Sequence, residues 1–151
     1  MPRSVRVQPG AALSLRPFAR FTELRNLIAR AARAALRHQR ISDAELSVTL
    51  LDDDEITTLN RRFLAHDGTT DVISFALFEP GDRPVGDIYI GWEQANRQAA
   101  QLDVPVTEEI ARVTIHGVLH VLGHVHPDGT DRLTSDMWQI QESILAGVRS
   151  A

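Results

Sequence analysis

Residues 116 to 126 read His116-Gly117-Val118-Leu119-His120-Val121-Leu122-Gly123-His124-Val125-His126, and four of the chain's six histidines fall within them. His116 and His120 are four apart, so on a helix they share one face, one turn of about 5.4 Å apart. Two imidazoles at that spacing can grip one metal ion. Gly123 stands where such a helix should stop, because glycine takes the left-handed C′ conformation at little cost. A reversal there can bring His126 to the same ion. Three neutral imidazoles with one open position are the donor set of catalytic zinc, not of closed structural zinc. The open position holds a water, whose pKa zinc can lower to about 7. A histidine in a helix or turn is, taken singly, usually a plain surface or core residue. Here ligand type, spacing and turn glycine agree on a metal site. His124 stays open as a fourth ligand or a substrate contact. It is the weaker ligand candidate, because alternate positions beyond a helix end tend to point apart.

Upstream of the motif, Pro105 and Thr107 mark a helix start. Thr107 is the expected N-cap, Glu108 and Glu109 fill the first turn, and Ile110, Val113 and Gly117 form the inward stripe. Arg112 lies one turn before His116. It is a candidate for substrate phosphate, with an (i, i+4) pairing to Glu108 as the alternative. Downstream, Pro127 to Thr130 read as a turn and N-cap, and Leu133, Met137, Ile140, Ile144 and Val148 define a last amphipathic helix. Earlier in the chain, Val5 and Val7 belong to a short first strand, broken at Pro9 and Gly10. Residues 21 to 38 form an amphipathic helix on Phe21, Leu24, Ile28, Ala31 and Ala35. Residues 46 to 51, 72 to 77 and 86 to 90 read as strands, and Trp92 to Leu102 as a helix. The acidic run Asp52 to Glu55 admits a cation site. Helix capping is the better account, since Ile56, Leu59 and Phe63 start a helix there. These elements predict an α+β domain with a small mixed sheet of about four strands and helices packed on it. The metal site falls at a helix C-terminus and the following turn.

The chain has 151 residues and 43% hydrophobic content, enough for one globular domain spanning residues 1 to 151. It has no cysteine, so disulfides and thiolate ligands are excluded, and any metal rests on His, Asp or Glu. No apolar run is long enough for a membrane span and no signal pattern opens the chain, so a cytoplasmic protein without a membrane partner is expected. The net charge of −4 does not announce a nucleic-acid binder. The distribution says more. All basic residues are arginine, and residues 16 to 40 hold seven of them against Glu23 alone. Such a stripe is either a solvated helix face or a run of phosphate contacts.

The spacing of the three histidines is also that of the metzincin proteases, H-E-x-x-H-x-x-G-x-x-H. There the second residue is the glutamate base; here it is Gly117. The stretch instead resembles the H-G-x-L-H-L-x-G-x-D-H motif of the YbeY endoribonuclease family. The resemblance extends over roughly residues 5 to 146. Asp53, Glu55, Ile56, Leu59 and Asn60 are similar to its D-x-E-I-x-x-L-N segment. Asp67, Thr70, Asp71, Val72, Ser74 and Phe75 stand as in its F-R-x-x-D-x-P-T-D-V-L-S-F segment. Gly86 to Ile90 resembles G-D-I-x-I, and Met137 with Glu142 matches M-x-x-x-x-E. Leu64 stands where the family has an arginine, Gly68-Thr69 lacks its proline, His124 replaces a tyrosine and Val125 an aspartate.

The resemblance implies a zinc-dependent endoribonuclease for single-stranded RNA, holding one Zn2+ per chain on His116, His120 and His126. It implies work in rRNA maturation at the 3′ end of 16S rRNA and in ribosome quality control, with the small ribosomal subunit as partner. Arg62, His66 and Arg112 are the candidate substrate contacts. No catalytic residue is assigned beyond the metal-bound water, and Arg112 and Asp128 are candidate helpers; Asp128 is near enough in sequence to substitute for the aspartate missing at Val125. The proton acceptor is open, and the RNA 2′-OH is an alternative nucleophile. Two other classes remain: a metallohydrolase or peptidase of another substrate class, and a non-catalytic ribosome assembly factor with a structural metal.

Overall fold

The computed structural model describes residues 3–14, 21–124 and 135–150. Its elements, in chain order, are β1 (Arg3–Pro9), α1 (Ala11–Ser14), α2 (Phe21–His38), β2 (Ala44–Leu51), α3 (Asp53–Leu64), β3 (Val72–Ala76), β4 (Val85–Gly91), α4 (Trp92–Leu102), α5 (Val106–Val121) and α6 (Asp136–Ser150). The four strands make one mixed sheet in the order β1-β2-β4-β3. β1 and β4 flank β2 in parallel, and β3 closes the edge antiparallel to β4. This is the expected α+β architecture.

The sheet's period of two sorts its residues between two helical layers. Leu46, Val48, Leu50, Ile88 and Ile90 join the large core with α2, α5 and α6. Leu51, Ile73, Phe75 and Tyr89 face the other way and pack with Ile56 of α3. Every second residue of β3 therefore serves a different helix: Ile73 serves α3, while Val72 and Ser74 lie against Gly117 of α5.

The acidic run is a cap, as its sequence suggests. The Asp52 carboxylate accepts from the Glu55 N–H at 2.9 Å, and the Asp52 N–H donates back to the Glu55 carboxylate at 3.2 Å. β2 and β4 extend one or two residues beyond expectation, and three further boundaries differ. Pro9 stays in β1, paired opposite Leu50. Its missing N–H is tolerated because β1 is an edge strand. β3 ends at Ala76, leaving Leu77 exposed. Thr107 is not the N-cap of α5: the helix begins at Val106, and Pro105 holds the cap position without a side-chain bond. Proline suits this place because its fixed φ enters a helix without needing an N–H partner. Leu133 and the turn expected at Pro127 to Thr130 lie outside the described residues.

α5 occupies the centre. Eleven of its sixteen residues are buried, and it packs on α2, α4, α6, β3 and β4. It lies close to the sheet at Gly117, where a Cβ would stand 2.9 Å from Ile88 Cγ2 and 3.1 Å from both Ser74 Oγ and Val72 Cγ2. The Ser74 hydroxyl donates to the Gly117 carbonyl at 3.1 Å across this contact. Gly117→Ala should therefore force the helix off β3 and β4 and lower stability by about 1–3 kcal/mol, read from the midpoint of a urea unfolding curve. An unchanged midpoint would contradict the close seat.

Candidate metal centre

The motif helix ends as the glycine requires. Gly123 has φ +99. The His124 N–H donates to the Leu119 carbonyl at 2.9 Å and the Gly123 N–H to the His120 carbonyl at 3.0 Å. That pair of reversed bonds is a Schellman cap, and it satisfies carbonyls the helix end leaves open. It turns the chain back directly after His120.

His116 and His120 sit on successive turns with ring centroids 4.6 Å apart and planes at 71°. His116 is buried and His120 half-buried. The third expected ligand, His126, lies outside the described residues, as do Val125 and Asp128. Among the described residues no group of three His, Asp or Glu side chains is placed to hold a metal ion.

The orientation of His116 is fixed from α6. Its Nδ1 lies 2.7 Å from Gln141 Oε1. The Gln141 amide is itself oriented, because its Nε2 donates to the Glu142 carboxylate at 3.1 Å, and a carboxylate accepts only. The Gln141 oxygen must then receive the Nδ1–H of His116, which leaves the Nε2 lone pair as the donor. Sequence reasoning missed Gln141. A signal was available: Gln141 lies on the buried stripe of Met137, Ile144 and Val148, and is itself a buried polar residue.

The chain of bonds continues. Arg112 donates through Nε to Glu142 at 3.0 Å, through Nη1 to Glu109 at 2.6 Å and through Nη2 to Glu108 at 3.3 Å. Gln98 joins the other oxygen of Glu109, at 2.8 Å, to Asp71 at 3.2 Å. A continuous path of side-chain hydrogen bonds thus runs from Asp71 to His116. Arg112 pairs with three carboxylates, and Glu108 is its (i, i+4) partner, as the alternative reading of Arg112 expects. Burial pulls the Arg112 guanidinium down, but hydrogen bonds to Glu142 and Glu109 outweigh this, and its pKa is raised. The hydrogen bond from Arg149 holds the Glu108 carboxyl below its ordinary value, with the Arg149 and Arg112 charges adding to it.

The remaining candidates are dispersed. His124 Nε2 lies 2.7 Å from Gln39 Oε1 at the end of α2, a second partner sequence reasoning missed. Arg62 and His66 belong to α3 and the loop after it, in the layer across the sheet from α5, and both are exposed. The Arg62 guanidinium lies over the Phe63 ring at 5.4 Å. Leu64 is exposed in the last turn of the same helix.

Comparison with known proteins adds a lineage to this geometry. The pattern of the family described as Endoribonuclease YbeY matches residues 17–149. An Endoribonuclease YbeY of Persephonella marina is 35% identical over 130 residues, covering 83% of this chain and 84% of the relative. One from Moorella thermoacetica is 38% identical over 138 residues, covering 83% and 87%. A solution structure from Thermotoga maritima shares the fold at a TM-score of 0.65 and 25% identity, covering 97% of this chain and 89% of that one.

Arg112→Ala should lower stability by about 3 kcal/mol, because Glu109 would remain buried with its charge unmatched. Urea unfolding measures this, and a loss near zero would contradict the network. Glu108 titrates lower folded than unfolded. Its contribution is present above the unfolded carboxylate pKa and lost as pH falls through the folded one. Arg149→Ala should therefore flatten the acid limb of a stability-against-pH curve.

Proposed function

Because this chain belongs to the YbeY endoribonuclease family, we propose that it is a zinc-dependent endoribonuclease that cuts single-stranded RNA, acting in rRNA maturation with the small ribosomal subunit as its partner. The observation that carries the metal reading is the pair His116 and His120, with His116 held by Gln141 so that Nε2 is presented. Two imidazole donors from one helix face fit zinc, and a hydrogen-bond acceptor on the distal nitrogen, here the Gln141 oxygen, is the usual kind of support for a ligating histidine. His126, beyond the cap that reverses the chain, is the third ligand of the proposal. Bound zinc would supply a Lewis acid for phosphodiester cleavage.

The protein's own groups set the limits of that chemistry. Gly117 occupies the place of a protease base, and a Cβ there would meet Ile88 Cγ2 at 2.9 Å, so this position carries no carboxylate for peptide hydrolysis. Gln141 keeps the His116 proton on Nδ1. The Arg112 carboxylate network fixes Glu142, and Glu142 fixes Gln141. The reading as a non-catalytic assembly factor is not favoured by the kinship with endoribonucleases.

Purified protein should contain one zinc per chain by elemental analysis and should cut single-stranded RNA until chelator is added. Cleavage undiminished by chelator, or turnover of peptide in place of RNA, would refute the proposal. His120→Ala should lose the metal and keep its fold by circular dichroism. Gln141→Leu should weaken zinc binding about 10–100-fold in competition with a chelator, with the RNA-binding affinity of the metal-free protein unchanged. Wild-type zinc affinity in Gln141→Leu would remove Gln141 from the support of His116.

A further inference from the structure

We infer that the groove between α2 and α6 seats the backbone of single-stranded RNA as it leaves the metal centre. This rests on the nuclease reading above. The groove has a cavity volume of about 450 Å³, and Arg30, Arg37, His38 and Ser143 supply polar groups around a floor that includes Ile144 and Gly147. That volume is in the range of specific ligand sites, about 300–1,000 Å³.

The charge there is unmatched. Arg61, Arg83, Arg97, Arg112 and Arg149 each pair with a carboxylate. Among the described residues, Arg30 and Arg37 have no ion-pair partner, and no carboxylate lines the groove. They stand seven apart on α2, two turns along one face. Residues 21 to 40 carry five arginines and one glutamate in a chain of net charge −4, so the rest of the molecule is markedly acidic. Arg30 and Arg37 line this groove with no carboxylate among its lining residues, and that local charge favours a polyanion there. Guanidinium groups bind phosphate bidentately, and the apolar floor suits sugar and base.

Both walls reach the metal centre. α2 ends in His38 and Gln39 follows it; their side chains bond to each other at 3.2 Å, and Gln39 goes on to His124. α6 carries Ser143 and Ile144 in the groove and Gln141 on His116. A strand lying along Arg30 and Arg37 toward the end of α2 is thus led to the turn that follows His120. An acidic protein partner would meet the same charge but has no need of this continuity.

The test uses the full chain and a labelled oligouridylate, with binding read by fluorescence anisotropy across a salt series. The first variant is Arg30→Ala/Arg37→Ala. It should bind about tenfold more weakly and flatten the log–log salt slope by about 1.4, at roughly 0.7 per lost phosphate contact. The second is Gly147→Glu. A Cβ at Gly147 meets nothing within 4 Å, so this variant should fold normally while placing a carboxylate in the groove. It should also bind about tenfold more weakly, with the same thermal midpoint and zinc content. For both, cleavage at saturating RNA should be unchanged while KM rises. Wild-type affinity and slope in both variants would overturn the inference, while RNA cleavage by the wild type would leave the nuclease reading intact. Displacement of the RNA by polyglutamate at matched charge as readily as by unlabelled oligouridylate would also overturn it, in favour of an acidic protein partner. If the wild type never cuts RNA but both variants lose affinity, the groove stands and the nuclease reading fails.

Discussion

The close seat of α5 on the sheet governs this molecule. Gly117 lets the helix approach β3 and β4 until Ile88, Val72 and Ser74 fill the place where a side chain would be. The approach buries most of the helix, and fully buried Ile110, Ile115 and Leu119 each contribute about 1.5–3 kcal/mol in apolar surface removed from water. It also sets the depth at which His116 and His120 lie, since both share the rigid helix with Gly117. A site on a helix packed by four or five other elements is held more tightly than one on a loop, and metal ligation demands that.

Burying such a helix raises a cost that the fold meets with polar pairing. Glu109, His116 and Gln141 are buried polar groups, and each would destabilise the core if unpaired. Arg112 resolves this by joining carboxylates from its own helix and from α6, and Gln98 closes the far side. The same bonds that satisfy the core end on His116 and choose its tautomer. Stability and the fixed orientation of His116 are thus two consequences of one network, and a substitution in it acts on both.

The chemistry follows from what the helix can and cannot carry. A metalloprotease places its base one residue after its first histidine. Here that position is a close contact with the sheet, where a Cβ would already stand 2.9 Å from Ile88 Cγ2, so a glutamate would displace the helix. The described residues offer two imidazoles, a capped reversal of the chain and, between α2 and α6, a groove lined by Arg30 and Arg37 with no carboxylate. These suit an anionic substrate that brings its own charge to be neutralised better than they suit a neutral peptide.

Much of this was legible in the sequence, because local rules wrote it. The period of α2, the capping box at Asp52, the limits of α4 and the left-handed Gly123 depend on neighbours within a few positions, where propensity and spacing act directly. The four-residue interval of His116 and His120 needed only helix geometry. Thr107 shows where local rules mislead, since a good capping residue lost its place to Pro105, two positions upstream. What only the tertiary structure decided is which distant groups meet. Arg112 could pair with phosphate or carboxylate on sequence grounds. Glu142 lies thirty residues away, and packing of α6 against α5 brings it to the guanidinium. Gln141 on His116 and Gln39 on His124, 25 and 85 residues apart, belong to the same class. Side-chain chemistry fixes what a residue can bind, whereas the packing of helices fixes which partner arrives, and that information is spread over the whole chain.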